Sequence, residues 1–178
     1  VARHEYGIGE TTDVASRPEF AARRTRRSVD GRELHDWFVE DFSFEELRSL
    51  RARERLPQLR GTAGDGIHSV PSLDEIIELA ARESAARGRV IGLIPEIKHP
   101  GHFSALGLAM EERLLETLAA HPYTRSAPVV IQSFEVGNLR ALRAKLDADA
   151  GRGNIRLLQL LGAPDQPPAD LAAAGGPT

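Results

Sequence analysis

The sequence predicts an α/β fold in which βα units alternate around a parallel sheet. Two observations predict it. From residue 71 onward, short runs of Val, Ile and Leu alternate with stretches whose apolar residues recur at helical spacing. The short runs are almost continuously apolar, as strands of a parallel sheet covered by helices should be.

The elements follow in order. Val1-Ala2-Arg3-His4-Glu5 reads as an early strand of the same sheet. Residues 6–70 read as irregular and polar, with scattered Gly and a basic cluster at Arg23-Arg24-Thr25-Arg26-Arg27, best understood as a solvated charge run. Inside this segment, Ser43 followed by Glu46 is a capping box. It opens a helix that carries Leu47 and Leu50 and should end near Arg53. Pro71-Ser72-Leu73-Asp74-Glu75 is a second capping box, and its helix carries Leu73, Ile76, Ile77 and Ala80. A strand over 90–94 breaks at Pro95-Glu96-Ile97-Lys98. A helix with Leu106, Met110, Leu114, Leu115 and Leu118 on one side follows. A strand over 129–134, a helix with Val136, Leu139, Leu142 and Leu146, and a strand over 155–161 complete the pattern.

Composition bounds the function. The chain has 178 residues, a length that suits one domain, and 41% of them are hydrophobic, enough for a real core. The net charge of −3 argues against non-specific nucleic-acid binding, which wants a basic domain. No run approaches the roughly 18 apolar residues of a membrane span. With no Cys, disulfides, thiolate nucleophiles and Cys-ligated zinc are excluded, while the compartment stays open. The chain opens at Val1 without Met and closes on Gly175-Gly176-Pro177-Thr178; these ends lead us to expect missing segments on both sides.

In parallel α/β folds, chemistry gathers at the carboxyl ends of strands. The strand ends here carry His4-Glu5, Glu96 with Lys98, Gln132-Ser133-Phe134, and Gln159. A His, a carboxylate and a Lys on one rim are what hydrolysis of a charged phosphate ester requires. The carboxylate holds a hard cation, the Lys neutralises phosphate charge, and the His moves a proton near neutral pH. Each also has a bland reading: His4 as a structural or surface His, Glu96 and Lys98 as an exposed pair worth little. His35-Asp36 sits in the irregular segment with no strand to deliver it. His99 and His102, spaced i, i+3 beside Glu96, leave metal ligation open, although Pro100 and Gly101 imply a loose loop. His68 and His121 read as loop residues. Neither a phosphate-cradling Gly loop nor a nucleophile elbow is present.

At these residues the chain resembles the glycerophosphodiester phosphodiesterases, most closely the bacterial periplasmic type. Val1–Glu5 resembles the strand ending in that family's second catalytic His. Thr11–Ala15 and Asp41–Leu47 resemble the insertion that follows, Pro71–Glu75 its next helix start, Ile94–Lys98 its Glu-Ile-Lys strand, and Ile131–Phe134 the next strand end. The resemblance implies a partial TIM barrel over 1–178, with 6–70 as an insertion within it. It implies one divalent cation, Ca²⁺ or Mg²⁺, with Glu96 as a metal ligand, Lys98 facing the substrate phosphate and His4 as catalytic acid or base. The substrate implied is a small glycerophosphodiester cleaved to sn-glycerol 3-phosphate and an alcohol, in a periplasmic or secreted enzyme. The family's first His, its Pro-Glu-Asn motif and its Glu-x-Asp metal pair match nothing in this chain, and Glu5 and Ser72 stand where the family has Asp and Thr. The chain alone is therefore expected to be inactive and to leave exposed sheet edges. Two rivals remain: a phospholipase D-like or phosphoinositide-cleaving relative, and a non-catalytic barrel that binds a polyol phosphate or a protein.

Overall fold

The computed structural model describes residues 1–163, 165–173 and 175. The chain divides into two compact units, Val1–Leu73 and Asp74–Thr178.

The first unit is built around an antiparallel hairpin, β1 (Thr25–Val29) and β2 (Arg32–Asp36), closed by the left-handed pair Asp30-Gly31. Sequence patterning misses this hairpin because most of its residues are exposed, so no apolar face marks it. Two short helices follow, α1 (Phe44–Ser49) and α2 (Pro57–Arg60). One core cluster gathers Ile8, Val14, Phe20, Trp37, Leu47 and Leu50, with the Trp37 indole N–H donating to the Phe20 carbonyl at 2.7 Å.

The first capping box forms as expected. Ser43 Oγ accepts the Glu46 N–H and Glu46 Oε2 accepts the Ser43 N–H. The helix stops at Ser49, short of the expected Arg53. Leu50 is extended, and Arg51 and Ala52 are drawn into antiparallel bridges with Ser69 and Thr12. Asp13 Oδ1 accepts the Arg51 N–H at 2.7 Å, so tertiary pairing overrides helix propensity there.

Two expectations are corrected in this unit. Val1–Glu5 is no strand: Ala2 N–H donates to Pro71 O, and no ladder extends that bond among the described residues. The arginine cluster is not a solvated run. Arg23 forks onto Glu46 at 2.6 and 2.8 Å while its guanidinium lies 5.1 and 4.9 Å from the Phe20 and Phe42 rings. Arg27 binds Glu40 and Asp41 and lies over Phe38, and Arg24 lies over Trp37. Arg26 makes an exposed pair with Glu33.

The second unit opens with α3 (Leu73–Arg87), which begins where the second capping-box motif predicts. Its sheet centres on β3 (Val129–Ser133), parallel to β4 (Ile155–Gln159), with Val129 opposite Ile155 and Ser133 opposite Gln159. Segment 93–97 lies along the other edge of β3. Leu93 N–H donates to Pro128 O, Val130 N–H to Leu93 O, Gln132 N–H to Pro95 O and Ile97 N–H to Gln132 O. Pro95 has no N–H to give Val130 O, so this strand survives only as parallel bridges, Leu93 with Val129 and Glu96 with Gln132. The strand expected over 90–94 therefore sits later, and Val90 is exposed.

Strand pleating splits the side chains between two faces. Leu93, Ile97, Val129, Ile131, Ser133 and Ile155 are buried on one. There α6 (Val136–Asp147) packs on β3 and β4, and α5 (Glu111–Ala120) on α6. The other face presents Ile94, Glu96, Lys98, Gln132, Phe134 and Leu158, of which Ile94, Phe134 and Leu158 are exposed. The sheet is parallel and helix-covered on one side, and the described residues close no barrel. The helix expected to span Leu106–Leu118 is divided. A short α4 (Pro100–Ala105) ends at Leu106, Gly107 turns the chain with positive φ, and α5 starts after Met110. A final helix, α7, covers Ala169–Ala173. Among the described residues no helix is long and apolar enough to cross a membrane.

Two outcomes follow from this packing. Ile131 is fully buried at the centre of the sheet, so Ile131→Ala should cost about 3 kcal/mol of stability, read by urea denaturation. The Arg23 hydrogen bond, helped by the Ser43 N–H, holds the Glu46 carboxyl down to about 2. A carboxyl lowered on folding stabilises above its unfolded pKa, about 4.3. That contribution is lost as pH falls through the window from about 4 to about 2. Acid titration of Glu46→Gln followed by circular dichroism should show a shallower loss of stability across that window than the parent shows.

Candidate active site

Segment 93–97 delivers Glu96 and Lys98 to the open face at the carboxyl end of the parallel ladder. Alternation puts both charges on that face because Leu93 and Ile97 take the covered one. Lys98 Nζ lies 3.0 Å from Glu96 Oε1, and the two side chains are 22% and 17% exposed. The ammonium stands off the hydrogen-bonding direction, so that buried oxygen pairs electrostatically but makes no hydrogen bond. On its other side, Lys98 Nζ is 5.8 Å from the centre of the Phe134 ring, within reach of a cation–π attraction.

A hard divalent cation takes oxygen ligands. Glu96 Oε1 fits in kind, being anionic, buried and without a hydrogen bond. It is one ligand and not a site: among the described residues no three of His, Asp and Glu converge to hold a metal. His99 is left-handed (φ 48) at the start of α4, and the His102 ring packs edge-on against Phe103.

His4 lies in the first unit, outside any strand, with its side chain 70% exposed. Its Nδ1 is 3.1 Å from Glu5 Oε1, and Arg55 Nε is 3.2 Å from the same oxygen. The imidazole therefore has a carboxylate at one nitrogen and leaves Nε2 for other partners. Asp36, beside His35, accepts the N–H groups of Gly9 and Trp37, which makes it a scaffold residue. His121, expected in a loop, follows α5 directly and pairs with Asp74 at 2.8 Å.

The strand-end residues Gln132, Ser133 and Gln159 also find places. Gln132 is opposite Glu96. Ser133 Oγ accepts the Glu135 N–H, and Gln159 Nε2 donates to the carbonyls of Phe134 and Leu160. Reading the motif only as far as Phe134 misses Glu135, a residue 5% exposed whose carboxylate accepts the Gly101 N–H. A charged residue closing a buried strand was the available signal. A cavity of about 140 Å³ lined by Leu118, Arg125, Arg152, Asn154 and Ile155 lies at the amino end of β4, remote from Glu96 along the strands.

Comparison with known proteins shows the family. The family model described as the glycerophosphoryl diester phosphodiesterase family matches residues 1–177. A glycerophosphodiester phosphodiesterase of Arabidopsis thaliana is 32% identical over 152 residues, covering 78% of this chain and 40% of the plant protein. A glycerophosphodiester phosphodiesterase of Haemophilus influenzae is 23% identical over 172 residues, covering 90% of this chain and 44% of the bacterial one. The chain thus spans less than half the length of these relatives. With a family match across nearly all its residues, and the plant relative aligned over more than three quarters of it, the chain belongs to the glycerophosphoryl diester phosphodiesterase family.

Proposed function

We propose that the protein hydrolyses glycerophosphodiesters to sn-glycerol 3-phosphate and an alcohol, with Glu96, Lys98 and His4 in its active site, on a TIM-barrel frame to which this chain contributes part. The observation that carries the reading is the Glu96–Lys98 pair, two charges held 3.0 Å apart on the open face of a parallel sheet, in a chain of this family.

Lys98 binds the phosphodiester through its ammonium and offsets charge as it builds on the phosphoryl oxygens. The Phe134 ring holds that ammonium from one side and Glu96 from the other, which limits the orientations it samples. Glu96 supplies one anionic oxygen towards a divalent cation, Ca²⁺ or Mg²⁺. When bound, such a cation polarises a phosphoryl oxygen as a Lewis acid. His4 moves a proton at Nε2, towards the ester or water oxygen, while Glu5 at Nδ1 orients the ring. Export to the periplasm or cell exterior rests on the resemblance of the 6–70 segment to the periplasmic type.

The test uses the full-length protein and glycerophosphocholine. Glu96→Gln should lower metal-dependent turnover by at least about 100-fold, with an unchanged circular dichroism spectrum. His4→Ala should lower kcat by about 10²- to 10⁴-fold. Near-normal turnover by Glu96→Gln refutes the assignment. Release of free base from intact phospholipid, but none from glycerophosphocholine, assigns a phospholipase instead.

A further inference from the structure

We propose that Glu135 is a positioning residue for Lys98, acting through the loop that follows it; this rests on the reading of Lys98 as the phosphate-binding residue. Four observations converge. The Glu135 side chain belongs to a residue only 5% exposed, directly after Phe134. Its two carboxylate oxygens lie 3.2 and 3.0 Å from the Gly101 nitrogen and accept its N–H. Gly101 is closely seated, since a Cβ there would come within 2.8 Å of Glu135 Oε2. His99, between Lys98 and this contact, holds a left-handed backbone that non-glycine residues adopt at a cost.

The chemistry explains why a charge is kept here. α4 starts at Pro100, and its N-cap residue, His99, gives no side-chain cap. The first-turn N–H of Gly101 would otherwise lack a partner in the helix. Glu135 supplies the acceptor from another loop. A charge-assisted hydrogen bond of this kind is roughly twice as strong as a neutral one, and it offsets part of the cost of burying an anion. The clamp ties the loop after Lys98 to the loop after β3. The same two loops carry the Lys98 ammonium and the Phe134 ring that faces it. Glu135 thereby fixes how far Lys98 stands above the sheet.

The experiment uses the full-length protein with glycerophosphocholine as substrate and hydrogen exchange at residues 99–101. Glu135→Ala should speed exchange of the Gly101 amide. It should also lower kcat about 10- to 100-fold, the scale expected when a charge-stabilising group is displaced by about an ångström, with KM changed less than threefold. Glu135→Gln, which keeps an acceptor, should restore most of the loss. Gly101→Ala, whose Cβ would displace the carboxylate, tests the same clamp should Glu135→Ala fail to fold. The double variant Glu135→Gln with Gly101→Ala should fall short of additivity. Unchanged Gly101 exchange in both Glu135→Ala and Gly101→Ala overturns the clamp. Faster exchange with kcat and KM unchanged overturns the positioning role. A parent protein inactive on every glycerophosphodiester sinks the proposed function, while exchange at Gly101 still decides the clamp.

Discussion

The position of Glu96 and Lys98 is decided by main-chain hydrogen bonds and not by the charges themselves. Leu93 and Ile97 are held to β3 by bonds on either side of Pro95, and strand pleating fixes the rest. A slip of one residue would turn Glu96 and Lys98 into the helix-packed face and push Leu93 and Ile97 out. Losing two buried aliphatic side chains costs about 1.5–3 kcal/mol each, and burying two charges costs several more. The ion pair itself, partly open to water, is worth no more than about 1 kcal/mol. Register is therefore secured by the apolar face, and the charges follow from it. A proline inside such a strand would ordinarily weaken it. Here Pro95 gives up one ladder bond, and the flanking bonds suffice to keep the segment aligned.

The first unit reaches order by a different route. Around its aromatic cluster the arginines add apolar contact as well as charge. Arg23 lies against two aromatic rings while its fork binds Glu46, the same carboxylate that caps α1. A lysine could not do both, because only the planar guanidinium stacks and forks at once. One ion pair thus links the stretch before β1, the helix start and the aromatic edge of the core. This is why a cluster that looks like a charge run from its spacing is instead part of the packing.

What was legible in the sequence is what depends on local pattern. The capping box at Ser43 and Glu46, the start of α3, and the alternation that brings Glu96 and Lys98 to one face were all readable, as were β3, α6 and β4. The helix end at Ser49 was not, because bridges to Thr12 and Ser69 take over from Leu50 onward and those partners are far away in sequence. The β1–β2 hairpin was hidden because a strand exposed on both faces has no alternating signal. The break at Gly107 was missed because Leu106 and Leu114 keep helical spacing across it. Val1–Glu5 was read as an early strand of the parallel sheet, and its backbone does not form one. Ionic order in the arginine cluster was invisible, since spacing does not reveal which carboxylates fold back onto it.

Glu135 and Glu96 are poorly exposed carboxylates of the second unit whose surroundings differ in kind. Glu135 accepts a backbone N–H and lies against a glycine that leaves it room. Glu96 has a cation 3.0 Å from Oε1 but no hydrogen bond to that oxygen, although desolvated carboxylate oxygens normally find donors. Its side chain belongs to the face of the sheet that also carries Lys98, Gln132 and Phe134. Such incomplete satisfaction is costly in a purely structural residue and useful in one that must receive a ligand. The contrast separates the two acids by surroundings: Glu135 is bonded to a backbone N–H, and Glu96 pairs with Lys98 through an oxygen that makes no hydrogen bond.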